Sequence, residues 1–264
     1  MTFPLAGGGE EVESGDAYVP PLPEHAVARV GSPLWKMGRD VNALTFSHDG
    51  TLLAGVSNDF TVRIWDVATG REKLRIGLWA APLSDVALSS DGKLLAAASK
   101  DGVWVWNAKT GDRIHRLESR QKWVAFSPDG KHILTASQGT PMHTWDVETG
   151  KQVELFDSKK PTSGFQFTSD GKLLSITHAN EIVFWNWEEK KEVSSLPFDQ
   201  EQTLSGKLVV ARKANLAAAV SSHGWAHVWD TKEGKLLASL KDEEADAIIK
   251  AVAISPDGKW LYTG

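Results

Sequence analysis

Short apolar runs separated by polar turns recur along the chain from residue 41 to its last residues. The first set reads VNALTF (41–46), the turn SHDG (47–50), TLLAGVS (51–57), a short link, TVRIW (61–65), the turn DVATG (66–70) and KLRIGL (73–78). No stretch holds a 3.6-residue apolar period, so the pattern predicts β-strands joined by tight turns. Asp-Gly suits these turns because Gly reaches positive φ cheaply and Asp bonds its own turn backbone. Alternation is blurred in runs such as LLAAAS (94–99), as expected for inner strands covered on both faces. Each set therefore predicts a four-stranded antiparallel sheet of about forty residues.

The set repeats. Trp followed by Asp or Asn falls at Trp65, Trp106, Trp145, Trp185 and Trp229, at intervals of 41, 39, 40 and 44 residues. A second marker keeps the same period: SHDG at 47–50, SSDG at 89–92, SPDG at 127–130, TSDG at 168–171 and SPDG at 255–258. The copy due at 211–215 reads ARKAN. One such sheet cannot bury both faces, so copies must cover one another, and radial stacking leaves only short edges. The recurring indole on the third strand then fills the gap between neighbouring sheets, and truncating it should cost roughly 3–5 kcal/mol.

These two markers in phase resemble the WD40 repeat of bacterial proteins over residues 33–264. The resemblance implies an all-β, WD40-like β-propeller with five complete four-stranded blades, near 41–78, 83–117, 122–156, 162–196 and 205–240, plus a partial sixth. In repeat terms the domain 25–264 divides at about 33–78, 79–117, 118–156, 157–196 and 197–240, with a partial repeat at 241–264 that looks cut off. By the family's logic PLWKM (33–37) completes the last blade, or pairs directly with the KWLYT strand. Residues 1–24, with five acidic and no basic side chains, are expected to be a disordered leader.

The same resemblance assigns a structural carboxylate between the second and third strands, two residues after Ser or Thr. Asp59 and Asp101 match it, whereas Gly139, Ala179 and His223 stand at the equivalent places. The usual Gly-His pair is absent, Gly38 being followed by Arg39, so no blade is expected to hold the complete His–Ser–Asp–Trp hydrogen-bond network.

Composition narrows the chemistry. Hydrophobic residues make 41% of the chain and charged ones 24%, the net charge is −5, and no Lys/Arg block stands out, which argues against a nucleic-acid groove. The absence of Cys removes disulfides and thiolate ligands. The first basic residue is Arg29 and no apolar run approaches membrane-spanning length, so a soluble, cytoplasmic protein without membrane partners is expected. The eight histidines form no dense ligand motif. His223 and His227 are four apart on a strand-turn-strand path, read as a turn His and an outward strand His. No GxSxG elbow or phosphate loop is present. No metal, cofactor or catalytic residue is expected.

Twelve tryptophans against two tyrosines remain conspicuous. Those outside the Trp-Asp/Asn sites (Trp79, Trp104, Trp123, Trp187, Trp225 and Trp260) are read first as packing and second as interface anchors, Trp79 foremost. The expected function is a non-catalytic scaffold that binds protein or peptide on the face made by the fourth-to-first and second-to-third strand links. On that reading, implied by the resemblance, the face includes Arg39, Asp40, Trp79, Lys100, Arg120, Gln138, His178, Asn180 and His223. The alternative is a sensory or substrate-presenting propeller within a larger bacterial enzyme or regulator. Self-association through an incomplete blade is a further expectation, because an unfinished sheet presents an open edge.

Overall fold

The computed structural model describes residues 37–263 apart from 79–81, 155–160, 169–170, 178–180, 198–203, 212, 222–223, 242–248, 250 and 256. Each repeat folds as its pattern dictates. The first sheet runs β1 (Val41–Phe46), β2 (Leu52–Ser57), β3 (Thr61–Asp66), β4 (Glu72–Gly77), and the second β5 (Leu83–Leu88), β6 (Leu94–Ser99), β7 (Gly102–Asn107), β8 (Arg113–Leu117). The third comprises β9 (Trp123–Phe126), β10 (His132–Ala136), β11 (His143–Asp146) and a short β12 (Gln152–Val153). The fourth holds β13 (Thr162–Phe167), β14 (Leu173–Thr177), β15 (Glu181–Asn186) and β16 (Lys191–Pro197). β17 (Leu204–Val210), β18 (Leu216–Ser221), β19 (Ala226–Asp230) and β20 (Lys235–Leu240) make the fifth, and β21 (Val252–Ile254) with β22 (Leu261–Thr263) a two-stranded sixth. Strand order within every sheet follows the chain and all pairings are antiparallel.

The S-x-D-G marker closes the first hairpin of the first, second, third and sixth sheets through its own side chains. Ser47 Oγ donates to Asp49 Oδ1 (2.6 Å) and accepts from Leu52 N (2.9 Å), while Asp49 Oδ1 also accepts from Thr51 N (3.0 Å). These bonds, led by that from Ser47, hold the Asp49 carboxyl down at about 2. Ser89–Asp91 and Ser255–Asp257 repeat the arrangement at 2.7 Å. In ARKAN the side chains are gone but the backbone bond survives, Ala211 N donating to Leu216 O at 2.9 Å.

The blades stack through their first strands: β1 lies against β5, β5 against β9, β9 against β13, β13 against β17 and β17 against β21. Five apolar clusters occupy the five junctions. Val62 and Ile64 of the first sheet meet Leu83, Val86 and Trp106 of the second, and Val103, Val105 and Leu117 meet Val124, Phe126 and Trp145 of the third. Leu134 and Ala136 meet Phe165 and Trp185, Ile182 and Phe184 meet Leu208 and Trp229, and Ala218 and Val220 meet Val252. Trp106, Trp145, Trp185 and Trp229 thus each pack on the preceding blade. They and Trp65 are 1–7% exposed, and the four with a described preceding blade lie at the junctions where the repeat logic requires them.

The turns between third and fourth strands add a second blade-to-blade contact. Gly111 sits on Leu74 and Ile76 of the preceding outer strand, and Gly150 on the ring of His115, whose Nε2 lies 2.9 Å from Val147 O. A Cβ at Gly150 would stand 2.8 Å from His115 Nδ1, so glycine is required there by contact as well as by its φ of 67°. Lys190 takes the equivalent place in the fourth blade and holds φ 55° without being glycine.

Two expectations about edges meet the limits of the described residues. Residues 33–36 of PLWKM and the whole of 1–24 lie outside them, and among the described residues β21 and β22 pair only with each other. At positions where Val86 and Phe126 are buried, Leu44 and Phe46 of β1 are 51% and 47% exposed.

Candidate functional site

The fourth-to-first and second-to-third strand links gather at one end of the blades, tied by hydrogen bonds within and between sheets. Asn58 N donates to Asp40 O (3.0 Å) and Ser57 Oγ to Arg39 O (3.2 Å), pinning the segment before β1 onto the β2–β3 link. Asn42 Nδ2 reaches Leu83 O (2.7 Å) in the second blade, and Ser84 Oγ reaches Lys122 O (2.8 Å) before the third. Val124 N donates to Asp85 Oδ2 (3.0 Å), and Thr162 N to Thr140 O (2.8 Å). Residues of the five first strands, with His48, Ser90 and Pro128 of the turns that follow them at the opposite end, line a cavity of about 610 Å³.

Of the residues expected on this face, Arg39, Asp40, Lys100, Arg120 and Gln138 are exposed on these links. Trp79, His178, Asn180 and His223 lie outside the described residues.

Asp59 is the best-connected carboxylate of the face. It accepts from Gly38 N (2.8 Å), Thr61 N (3.0 Å) and Thr61 Oγ1 (2.6 Å), and pairs with Arg63 Nη2 at 2.8 Å. Burial opposes its ionisation, but the Thr61 and Gly38 bonds and the Arg63 charge outweigh it and hold the carboxyl at about 2. Asp101 does not share this geometry, contrary to expectation. The β6–β7 link is one residue shorter, so Gly102 pairs directly with Ser99 and stands where the first blade has Thr61, leaving no hydroxyl there. The Asp101 carboxylate therefore makes no hydrogen bond among the described residues. Only its backbone is engaged, its N–H donating to Ser99 Oγ (3.1 Å) and its carbonyl accepting from Arg116 Nη2 (2.9 Å).

No blade with described partners holds the complete four-membered network, but parts of it exist. In the third blade Trp145 Nε1 donates to Thr135 Oγ1 (3.0 Å), which lies 3.3 Å from the buried Ser119 Oγ. In the fourth, Trp185 Nε1 donates to Ser175 Oγ at 3.0 Å. The first blade has Gly55 at that position, and the buried Trp65 Nε1–H has no hydrogen-bond partner among the described residues. The signal was in the sequence: a hydroxyl residue ten before the indole.

The link 117–122 was not singled out from sequence beyond Arg120. Ser119 N donates to Leu117 O (2.9 Å) and Gln121 N to Ser119 O (3.0 Å), so the backbone turns every two residues. Leu117, Ser119 and Gln121 point inward, while Glu118, Arg120 and Lys122 point out.

Other aromatic and histidine readings sort by burial. Trp187 is packing, set edge-on to Phe167 and His132. Trp104 is half-buried beneath Arg113 and Arg116, whose guanidinium carbons stand 5.7 and 5.0 Å from its ring. His227, expected to face outward, is 1% exposed. Its Nδ1 lies 2.9 Å from Ser239 Oγ and burial pushes its pKa down. Among the described residues no three His, Asp or Glu side chains converge as metal ligands, and no helix is long and apolar enough to cross a membrane.

The family described as WD domain, G-beta repeat matches residues 31–66, 79–107 and 234–264. Similar proteins include Periodic tryptophan protein 2 homolog of Schizosaccharomyces pombe, 30% identical over 132 residues, covering 48% of this chain and 16% of that protein. Target of rapamycin complex subunit wat1 of the same organism is 23% identical over 222 residues, covering 80% of this chain and 70% of the relative. The WD repeat-containing protein sll1491 of Synechocystis is 27% identical over 228 residues, covering 84% and 65%. The chain thus spans less than two thirds of the length of the first and third of these relatives. Matched family segments, two markers in phase and five stacked four-stranded sheets with buried indoles lead to one conclusion: this is a WD40-repeat protein.

Proposed function

We propose that the chain is a non-catalytic scaffold that binds protein or peptide segments on the link end of its blades. The observation that carries this reading is the fixed geometry of that end. Exposed polar side chains stand on short links whose backbones are hydrogen-bonded within and across blades, so little conformational entropy remains to be lost on binding. WD40 proteins generally act as interaction scaffolds, and one relative is by its name a subunit of a complex.

Peptide display on the immobilised full chain tests it. Enriched peptides should lose binding to Lys100→Glu/Gln138→Ala and keep it with Lys109→Glu/Lys232→Glu at the opposite turns. Absence of any enriched peptide, or equal loss with both pairs, would refute the proposal. A second reading, a propeller domain serving a larger protein, is supported by the 16% of Periodic tryptophan protein 2 homolog that the chain covers.

A further inference from the structure

We infer that the partner segment is acidic, and that its carboxylates dock on a preorganised basic ledge formed by Lys100, Arg116, Arg120 and Lys122. This deepens the scaffold reading and rests on it. The four cations are exposed: Lys100 stands on the β6–β7 link, Arg116 near the end of β8, and Arg120 and Lys122 on the link from β8 into the third blade. The carboxylates of Asp101 and Glu118 lie among them and that of Asp85 accepts from Val124 N beyond Lys122, yet among the described residues none of the four cations is in an ion pair.

The ledge is fixed at each point. Arg116 lies over the Trp104 ring at 5.0 Å and donates from Nη2 to Asp101 O (2.9 Å), which also ties it to the link carrying Lys100. Arg120 and Lys122 alternate with the buried Ser119 and Gln121. Ser119 is anchored through Thr135 to the indole of Trp145, and Gln121 Oε1 accepts from Thr140 Oγ1 at 3.4 Å. Their backbones are pinned as well: Ser137 Oγ donates to Arg120 O (3.4 Å), Lys122 N to Ala136 O (2.9 Å), and Ser84 Oγ to Lys122 O (2.8 Å). The two-residue turn of the link aims both charges to the same side, at a repeat that suits alternate side chains of an extended peptide. Half-buried Trp123, next in the chain, offers an apolar neighbour for a residue between the acids.

Charge decides the class of partner. A net charge of −5 over the chain repels an extended polyanion, whereas a few local cations without counter-ions attract a short acidic segment. A peptide is therefore favoured over nucleic acid.

The experiment is fluorescence anisotropy on the full chain at low and at physiological salt, with three labelled decapeptides: Glu/Leu, Lys/Leu and Ser/Leu alternating. The Glu/Leu peptide should bind, weaken with salt, and lose at least tenfold in affinity with Arg120→Glu/Lys122→Glu, while Lys109→Glu/Lys232→Glu changes nothing. Far-ultraviolet circular dichroism of each variant should match the parent. If the Lys/Leu or Ser/Leu peptide binds instead and is displaced by Lys100→Glu, the acidic partner is refuted and the scaffold stands. If none of the three binds, the ledge is refuted here, and peptide display decides the scaffold separately. Tighter binding of a single-stranded oligonucleotide than of the Glu/Leu peptide would also overturn the inference.

Discussion

Asp59 and Asp101 occupy the same place in the sequence pattern and different places in the structure, so replacing each by Ala isolates what the carboxylate does. In Asp59→Ala, Gly38 N loses its acceptor but is exposed to water, so its contribution is small. Thr61 N and Oγ1 are part-buried, and leaving them without an acceptor costs about 1 kcal/mol. Arg63 is 8% exposed and loses its closest carboxylate, keeping Thr61 Oγ1 at 3.1 Å from its Nε and Glu72 at 3.5 Å, which adds roughly 1–2 kcal/mol. The sum is about 2–3 kcal/mol, against under about 0.5 kcal/mol for Asp101→Ala, an exposed side chain with nothing to lose. Urea unfolding followed by far-ultraviolet circular dichroism at neutral pH reads both. The sign with pH follows from a carboxyl lowered from 3.8 to about 2 on folding. Its stabilisation is complete above about pH 4 and disappears as pH falls through about 2. Asp59→Asn should therefore flatten the loss of stability over that window relative to the parent. Equal midpoints for the two Ala variants, or identical acid profiles for parent and Asp59→Asn, would refute the reasoning.

Three further outcomes follow from blade geometry. Thr135→Val should destabilise by about 1–3 kcal/mol by orphaning the buried Trp145 N–H, with Thr135→Ser restoring most of it in urea titrations. Gly150→Ala should cost about 1–3 kcal/mol more than Gly130→Ala. Both hold positive φ, but only Gly150 meets a side chain, so thermal midpoints of the pair separate contact from backbone strain. Lys190→Gly should stabilise by about 0.5–1 kcal/mol, because φ 55° costs a side-chain-bearing residue more than the extra freedom of glycine in the unfolded chain. A lowered midpoint would show that Lys190 makes a contact worth the strain.

The sequence made the blades legible because the two features that define them are local: a turn that closes itself through Ser and Asp, and an indole whose burial needs only the next sheet. Asp101 misled because one deleted residue leaves Ser-x-Asp intact while removing the hydroxyl that Asp59 finds in Thr61. His227 misled because a strand position that faces away within one sheet can still be covered by its neighbours. On the candidate face, Lys100, Arg120 and Gln138 could be assigned from link positions alone. The ledge could not, because it depends on backbone turns at 117–121 and on which cations lack partners, and neither is written in a residue pattern.

The central claim is that the five four-stranded sheets are locked to one another by buried indoles. Fluorine NMR of the chain labelled with 5-fluorotryptophan, assigned by single Trp→Phe substitutions and recorded in light and heavy water, tests it most directly. Trp65, Trp106, Trp145, Trp185 and Trp229 should show no solvent isotope shift, while Trp260, 65% exposed, should shift. A shift at any of the five as large as that of Trp260 would contradict the stacked-blade account.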